Sequence, residues 1–194
     1  MTPSDELRRA LDEHRAVAAG MDALLPAIAT VAGVMAEALA GGGRVFAFGN
    51  GGSAAEAQHL VAELVGRARR ERRPLAAFAL SADSSTVTAL GNDYGFAEVF
   101  ARQVEAHVRA GDVVAGISTS GASKNVMRGL EAANERGAIS VLVGGGDGGP
   151  AAAIARHAIL VPSRTVARVQ EMHTLVIHLL CEGIDEDVIV SGRS

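Results

Sequence analysis

Short, unbroken apolar runs alternate with longer stretches of helical period along this chain. Runs at Arg44–Phe48, Leu75–Leu80, Asp112–Ile117, Ile139–Val143 and Ala158–Val161 read as five strands. Each precedes a segment whose apolar positions recur at helical spacing: one from Ser53 to Val65, a short one after Ser81–Ser85 that Gly91-Asn92-Asp93 breaks, then Phe96–Arg109. Later ones follow at Ser123–Arg136, just beyond the turn Gly144–Gly149, and at Val166–Glu182. Strand cores without polar alternation belong to a parallel sheet covered on both faces, so the pattern predicts an α/β fold with a five-stranded parallel sheet flanked by helices.

Ahead of the first strand, the pattern is helical and Ala-rich to Ala40, interrupted near Gly20 and Pro26. Thr2-Pro3 with Asp5 and Glu6 reads as a helix start, with acids at the positive dipole end. The second helix, about Ala23 to Ala40, is apolar around much of its girth and calls for burial, between subunits or against its own domain. No linker, repeat or low-complexity segment divides residues 1–194, which predicts one domain: helices over 1–40 that extend into an oligomer interface, and an α/β core over 41–194.

Composition narrows the partners. With 48% apolar and 21% charged residues, 23 glycines and no Trp, the chain has a core of small aliphatic side chains. Its net charge of −4 supplies no basic field for nucleic acid. The basic run Arg67–Arg73 reads as a solvated helix end rather than a phosphate or partner patch. The single cysteine, Cys181, reads as a core residue, which suits a reducing compartment. The start of the chain lacks the pattern of a secretory signal, and the apolar stretch Ala23–Ala36 is too short to span a bilayer. A cytoplasmic protein without a membrane partner is expected.

Two strand ends carry chemistry for an anion. After the first strand comes Gly49-Asn50-Gly51-Gly52-Ser53, where glycines admit a ligand to the backbone and the next helix starts with free N–H groups. It lacks both the G-x-G-x-x-G spacing and a Gly-Lys-Ser/Thr ending, so a nucleotide is not indicated. After the third strand, Ser118, Thr119, Ser120 and Ser123 set four hydroxyls around another helix start, more than one cap needs. Together the loops predict a phosphate site, with Lys124, the one lysine, beside it.

His59 and Glu63, four apart, share a helix face, where they bind one divalent ion, share a proton or form a surface ion pair. Gln170, His173 and His178 lie on the last helix; Gln170 and His178 would be about 12 Å apart along a straight axis. That is far for one ion unless the first turn is distorted or one of the two belongs to a neighbouring subunit. His173 reads as a helix histidine with a local partner, and His14, His107 and His157 as surface residues.

The two loops, Gly91-Asn92-Asp93-Tyr94-Gly95-Phe96 and Val169-Gln170-Glu171-Met172-His173 together resemble the SIS (sugar isomerase) domain family, and within it the phosphoheptose isomerases, over nearly the whole chain. The resemblance implies a single SIS domain that isomerises sedoheptulose 7-phosphate to D-glycero-D-manno-heptose 7-phosphate through an enediol, with Glu63 as base and His178 as acid. It implies one zinc ion per subunit on His59, Glu63, Gln170 and His178. Substrate contacts fall on Asn50, Gly51, Gly52, Ser53, Glu63, Asn92, Asp93, Ser118, Thr119, Ser120, Ser123 and Gln170, in a homotetramer that shares sites between subunits. Two positions depart from the family pattern: Ala167 stands where Asp is frequent and Ala122 where Asn is frequent. Two other readings compete: a non-catalytic SIS protein that binds a sugar phosphate and a partner such as a DNA replication initiator, and an SIS enzyme for an amino sugar phosphate.

Overall fold

A computed structural model describes residues 4–190, with side chains through Asp187. Helix α1 (Asp5–Ala19) starts where Ser4 accepts a hydrogen bond from the Leu7 amide, with Asp5 and Glu6 in its first turn. The expected start at Thr2-Pro3 lies outside the described residues. One 3-10 turn, Met21–Leu24, separates α1 from α2 (Leu25–Ala40), and Pro26 sits in the first turn of α2, where its missing N–H is harmless.

Five strands follow: β1 (Val45–Gly49), β2 (Ala77–Ala79), β3 (Val113–Ser118), β4 (Ile139–Gly145) and β5 (His157–Val161). All pair in parallel in the order β2-β1-β3-β4-β5. The helices between them are α3 (Gly52–Val65), α4 (Ser84–Tyr94), α5 (Ala101–His107), α6 (Lys124–Glu135) and α7 (Gly149–Ile154), and α8 (Val166–Val190) is the last element among the described residues. Successive strand residues alternate between the faces. Val45, Ala47, Val113, Ala115, Ile117, Val141 and Val143 pack against α2, α3 and α8, whereas Phe46, Phe48, Val114 and Leu142 pack against α5, α6 and α7.

Three boundaries differ from the sequence expectation. Helix α4 runs through Gly91-Asn92-Asp93 and stops at Gly95, whose φ of 84° is a conformation that side chains resist. Phe96–Arg109 splits into a 3-10 turn, Phe96–Glu98, and the short α5. The last helix continues past Glu182 to Val190.

Asp5–Ala40 contains an 18-residue window of mean hydropathy 1.8, apolar enough by length and composition to cross a membrane. In the fold, a 3-10 turn interrupts this segment, and Ile28, Val31, Met35 and Leu39 of α2 are buried in the domain's own core. Leu7, Leu11 and Leu25 remain exposed on the N-terminal helices.

Candidate active site

From β1 the chain crosses to β2 on one side and later returns to β3 on the other. The loops after β1 and β3 therefore flank a crevice at the carboxyl ends of the strands, where open α/β sheets bind ligands. Gly49 pairs in register with Ile117, so both loops leave the sheet at one level. Neither Gly51 nor Ser123 gives its helix a side-chain cap, and in α3 the Ser53 and Ala54 amides turn back to the Asn50 and Gly51 carbonyls (3.0 Å each). Ser118 Oγ accepts from the Gly121 amide (3.1 Å) and donates toward Ser123 Oγ, whereas Ser120 Oγ accepts from the Ala122 amide (3.3 Å) and keeps a proton to donate. Ser118 and Ser123 Oγ lie 3.5 Å apart. Thr119 and Ser120 also line a cleft of about 150 Å³ with Gly145, Asp147, Arg164 and Val166. Lys124 is exposed at the start of α6.

A residue that sequence reasoning missed joins the two loops. Asn125, buried in the first turn of α6, donates to Asn50 Oδ1 (2.8 Å) and accepts from Asn50 Nδ2 (2.9 Å). Asn92 and Asp93 sit exposed at the end of α4, with Asn92 donating to Asp93 at 2.8 Å.

Helices α3 and α8 run side by side in the same direction, as evenly spaced contacts show. At the top, the Gln170 amide stands so close to Gly52 that a Cβ there would lie 2.5 Å from Nε2. One turn on, Thr174 donates to Glu56 Oε1 at 2.7 Å. Another turn on, the His59 and His178 rings meet edge to face at 4.8 Å. His59 Nε2 lies 3.6 Å from Glu63 Oε1, and its Nδ1 lies 3.5 Å from Glu56 Oε2. One ligand atom each from His59, Glu63 and His178 falls within 4.8 Å of the others. Glu63 and His178 also line a cleft of about 390 Å³ with Ala68, Arg69, Leu175, Leu179 and Glu182.

Three of the four expected metal ligands thus converge within one chain. Gln170 does not join them there: α8 is regular from Val166, which leaves Gln170 two turns from His178, against the first loop. Two imidazole nitrogens and a carboxylate oxygen suit zinc, and three protein ligands leave a position open for a substrate oxygen.

The basic run is not simply a solvated helix end. Arg69 and Arg70 are exposed, but the Arg72 side chain is fully buried in an ion pair with Asp185. Glu56 escaped notice as well, although its place one turn before His59 was visible. His173 does have a local partner, since its Nε2 donates to Gly144 O at 3.1 Å, yet it is buried with Nδ1 unpartnered. Burial holds its pKa below the ordinary value. Burial also pushes the Cys181 thiol up to about 12, in keeping with a core role. His107 is exposed, His157 half-buried at the start of β5, and His14 Nδ1 donates a 2.8 Å bond to the Glu171 carboxylate. Ala122 and Ala167 are both exposed, in the serine loop and the first turn of α8.

Residues 11–145 match the SIS domain family. The chain belongs to the SIS domain family. This SIS domain is 54% identical to the phosphoheptose isomerase of Aquifex aeolicus over 161 residues, 83% of this chain and 84% of the relative. It is 46% identical to that of Citrifermentans bemidjiense over 97% of this chain and 98% of the relative. Among solved structures it resembles the phosphoheptose isomerase of Neisseria gonorrhoeae, with a TM-score of 0.89, 41% identity, and 94% and 98% of the two chains covered. The Francisella tularensis phosphoheptose isomerase gives a TM-score of 0.91 at 37% identity, with 96% and 100% covered.

Proposed function

We propose that this SIS domain is an aldose–ketose isomerase that converts sedoheptulose 7-phosphate to D-glycero-D-manno-heptose 7-phosphate. The observation that carries the reading is the convergence of Glu63, His59 and His178 along the helix that starts at the first anion loop. Gly52 and His59 are two turns apart on α3, about 11 Å. An extended heptose phosphate suits that separation, because its phosphate and its reacting carbons lie at opposite ends.

In this reading, the amides of Gly51 and Gly52 and the hydroxyls of Ser53, Ser118, Thr119, Ser120 and Ser123 hold the phosphate. Asn50 and Gln170 border it, and Asn92 and Asp93 reach the sugar hydroxyls from the end of α4. Remote phosphate binding fixes the reacting carbons in place. Glu63 takes the C1 proton of the ketose while His178 protonates O2, giving the enediol. His178 then removes the O1 proton and Glu63 returns its proton to C2, so the reaction is redox-neutral overall. Zinc on His59, Glu63 and His178 supplies a Lewis acid for the carbonyl oxygen when bound.

The same proposal includes a homotetramer in the cytoplasm. Exposed Leu7, Leu11 and Leu25 support assembly through the N-terminal helices, and a neighbouring copy is the route by which Gln170 meets an ion held by His178. A non-catalytic partner-binding protein is the weaker alternative, because it has no need of a convergent carboxylate and imidazole.

The direct test is to incubate the purified, zinc-loaded protein with sedoheptulose 7-phosphate in D2O and follow the products by NMR. Heptose 7-phosphate carrying deuterium at C2 is the expected result. Absence of both conversion and exchange at C1 would sink the proposal.

A further inference from the structure

Arg72 lies outside every element, yet its guanidinium is the most heavily bonded side chain near the site. Nε donates to Asp185 Oδ1 at 2.6 Å, and the two side chains are 0% and 2% exposed. Nη2 donates to the carbonyl of Glu63 itself at 2.8 Å. Nη1 reaches the carbonyls of Leu64 (2.9 Å), Arg73 (3.1 Å) and Gly66 (3.3 Å). The cation thus occupies the C-terminal end of α3, where orphan carbonyls gather and the helix dipole is negative. Asp185 ties that end to α8 seven residues, or about two turns, beyond His178.

Nearer the phosphate end the helices are tied by the Thr174–Glu56 hydrogen bond and the Gln170 contact with Gly52, but the rest of their interface is apolar: Ala57, Leu60 and Leu64 of α3 lie in one core with Val169, Met172, Val176 and Leu180 of α8. Such packing excludes water but tolerates small axial slips and rotations. A buried ion pair adds little net stability over an apolar pair of equal volume, whereas its directional bonds do specify one register.

We propose that Arg72 and Asp185 are positioning residues for the isomerase: the clamp fixes the end of α3 against α8 so that the Glu63 carboxylate faces the His178 imidazole. This inference rests on the isomerase reading. Neither residue touches substrate; both act through Glu63 and His178.

The test uses the full chain, as Arg72→Lys and as the double variant Arg72→Met with Asp185→Leu. Lysine keeps the charge toward Asp185 but cannot bridge the Glu63 and Leu64 carbonyls as a fork. The apolar pair fills the volume without directional bonds. Wild-type helicity and cooperative melting are expected in both, with kcat down about tenfold or more and KM within about twofold, since the phosphate loops are untouched. Calorimetric titration with Zn2+ alone is expected to show weaker binding by about tenfold, a readout independent of turnover. Folded variants with wild-type kcat and Zn2+ affinity would overturn the clamp while leaving the isomerase intact. If the double variant fails to fold, the lysine variant decides by the same two readouts. A wild-type protein that neither turns over nor binds Zn2+ would overturn the isomerase reading, and the clamp with it.

Discussion

Asn50 and Asn125 exchange two amide hydrogen bonds, of 2.9 and 2.8 Å, across the crevice between the ends of β1 and β3. Each amide uses one donor and one acceptor on the other, so the two anion loops move as one unit. Asn125→Ala leaves the Asn50 amide without its partner. Stability should fall by about 1–3 kcal/mol, and KM for the sugar phosphate should rise more than kcat falls. Urea denaturation and steady-state kinetics on the same preparation measure both.

Removing the acid or the base should act on the chemical step and weaken the metal site with it. Glu63→Gln and His178→Gln should each lower kcat by roughly 10²–10⁴ while the fold persists, since both side chains face a cleft. Retention of more than a tenth of wild-type kcat in either variant would assign its role elsewhere.

At Gly52 a methyl group would meet the far end of the Gln170 side chain, with Nε2 at 2.5 Å and Cδ at 2.9 Å. The amide can swing away, so Gly52→Ala should melt close to wild type. Displacement of Gln170 from the first loop should nevertheless reduce kcat/KM on the order of tenfold to a hundredfold. A melting scan paired with kinetics separates the two effects.

His173 should make stability depend on pH. Burial is the main cause of its lowered pKa, against raising contributions from the Gly144 hydrogen bond and from Glu56 on α3. As pH falls below the ordinary value of 6.5, the unfolded chain takes up a proton that the folded one refuses. Stability is therefore present above that pH and lost below it, by up to about 1.4 kcal/mol per pH unit. His173→Gln should flatten the difference between melts at neutral and mildly acid pH.

Chelation provides a check on the His59, Glu63 and His178 cluster. A metal that binds only the folded state stabilises it, by about 2.7 kcal/mol at a hundredfold excess over Kd. Dialysis against a chelator should lower Tm, and zinc should restore it in the wild type but not in His59→Ala.

Much of this was legible along the chain. The five apolar runs and the helices between them required only local periodicity, and the composition of the glycine and serine loops is what raised the expectation of an anion site. His59 and Glu63 were visible as one face of a helix. The break placed at Gly91 was misread because Gly is tolerated inside a helix; Gly95, with its positive φ, is where the backbone turns.

The chain's own pattern of apolar and polar residues determined which segments became strands and helices and which strand ends could bind phosphate, because those depend on neighbours a few residues away. Only the tertiary structure decided that Asn125 locks the two loops, that Arg72 is buried on Asp185, and that Gln170 meets Gly52 rather than the histidines. Each of these pairs residues more than 70 positions apart, and the relative placement of α3, α6 and α8 on the sheet sets which side chains come within hydrogen-bond range. Local spacing carries no information about that placement.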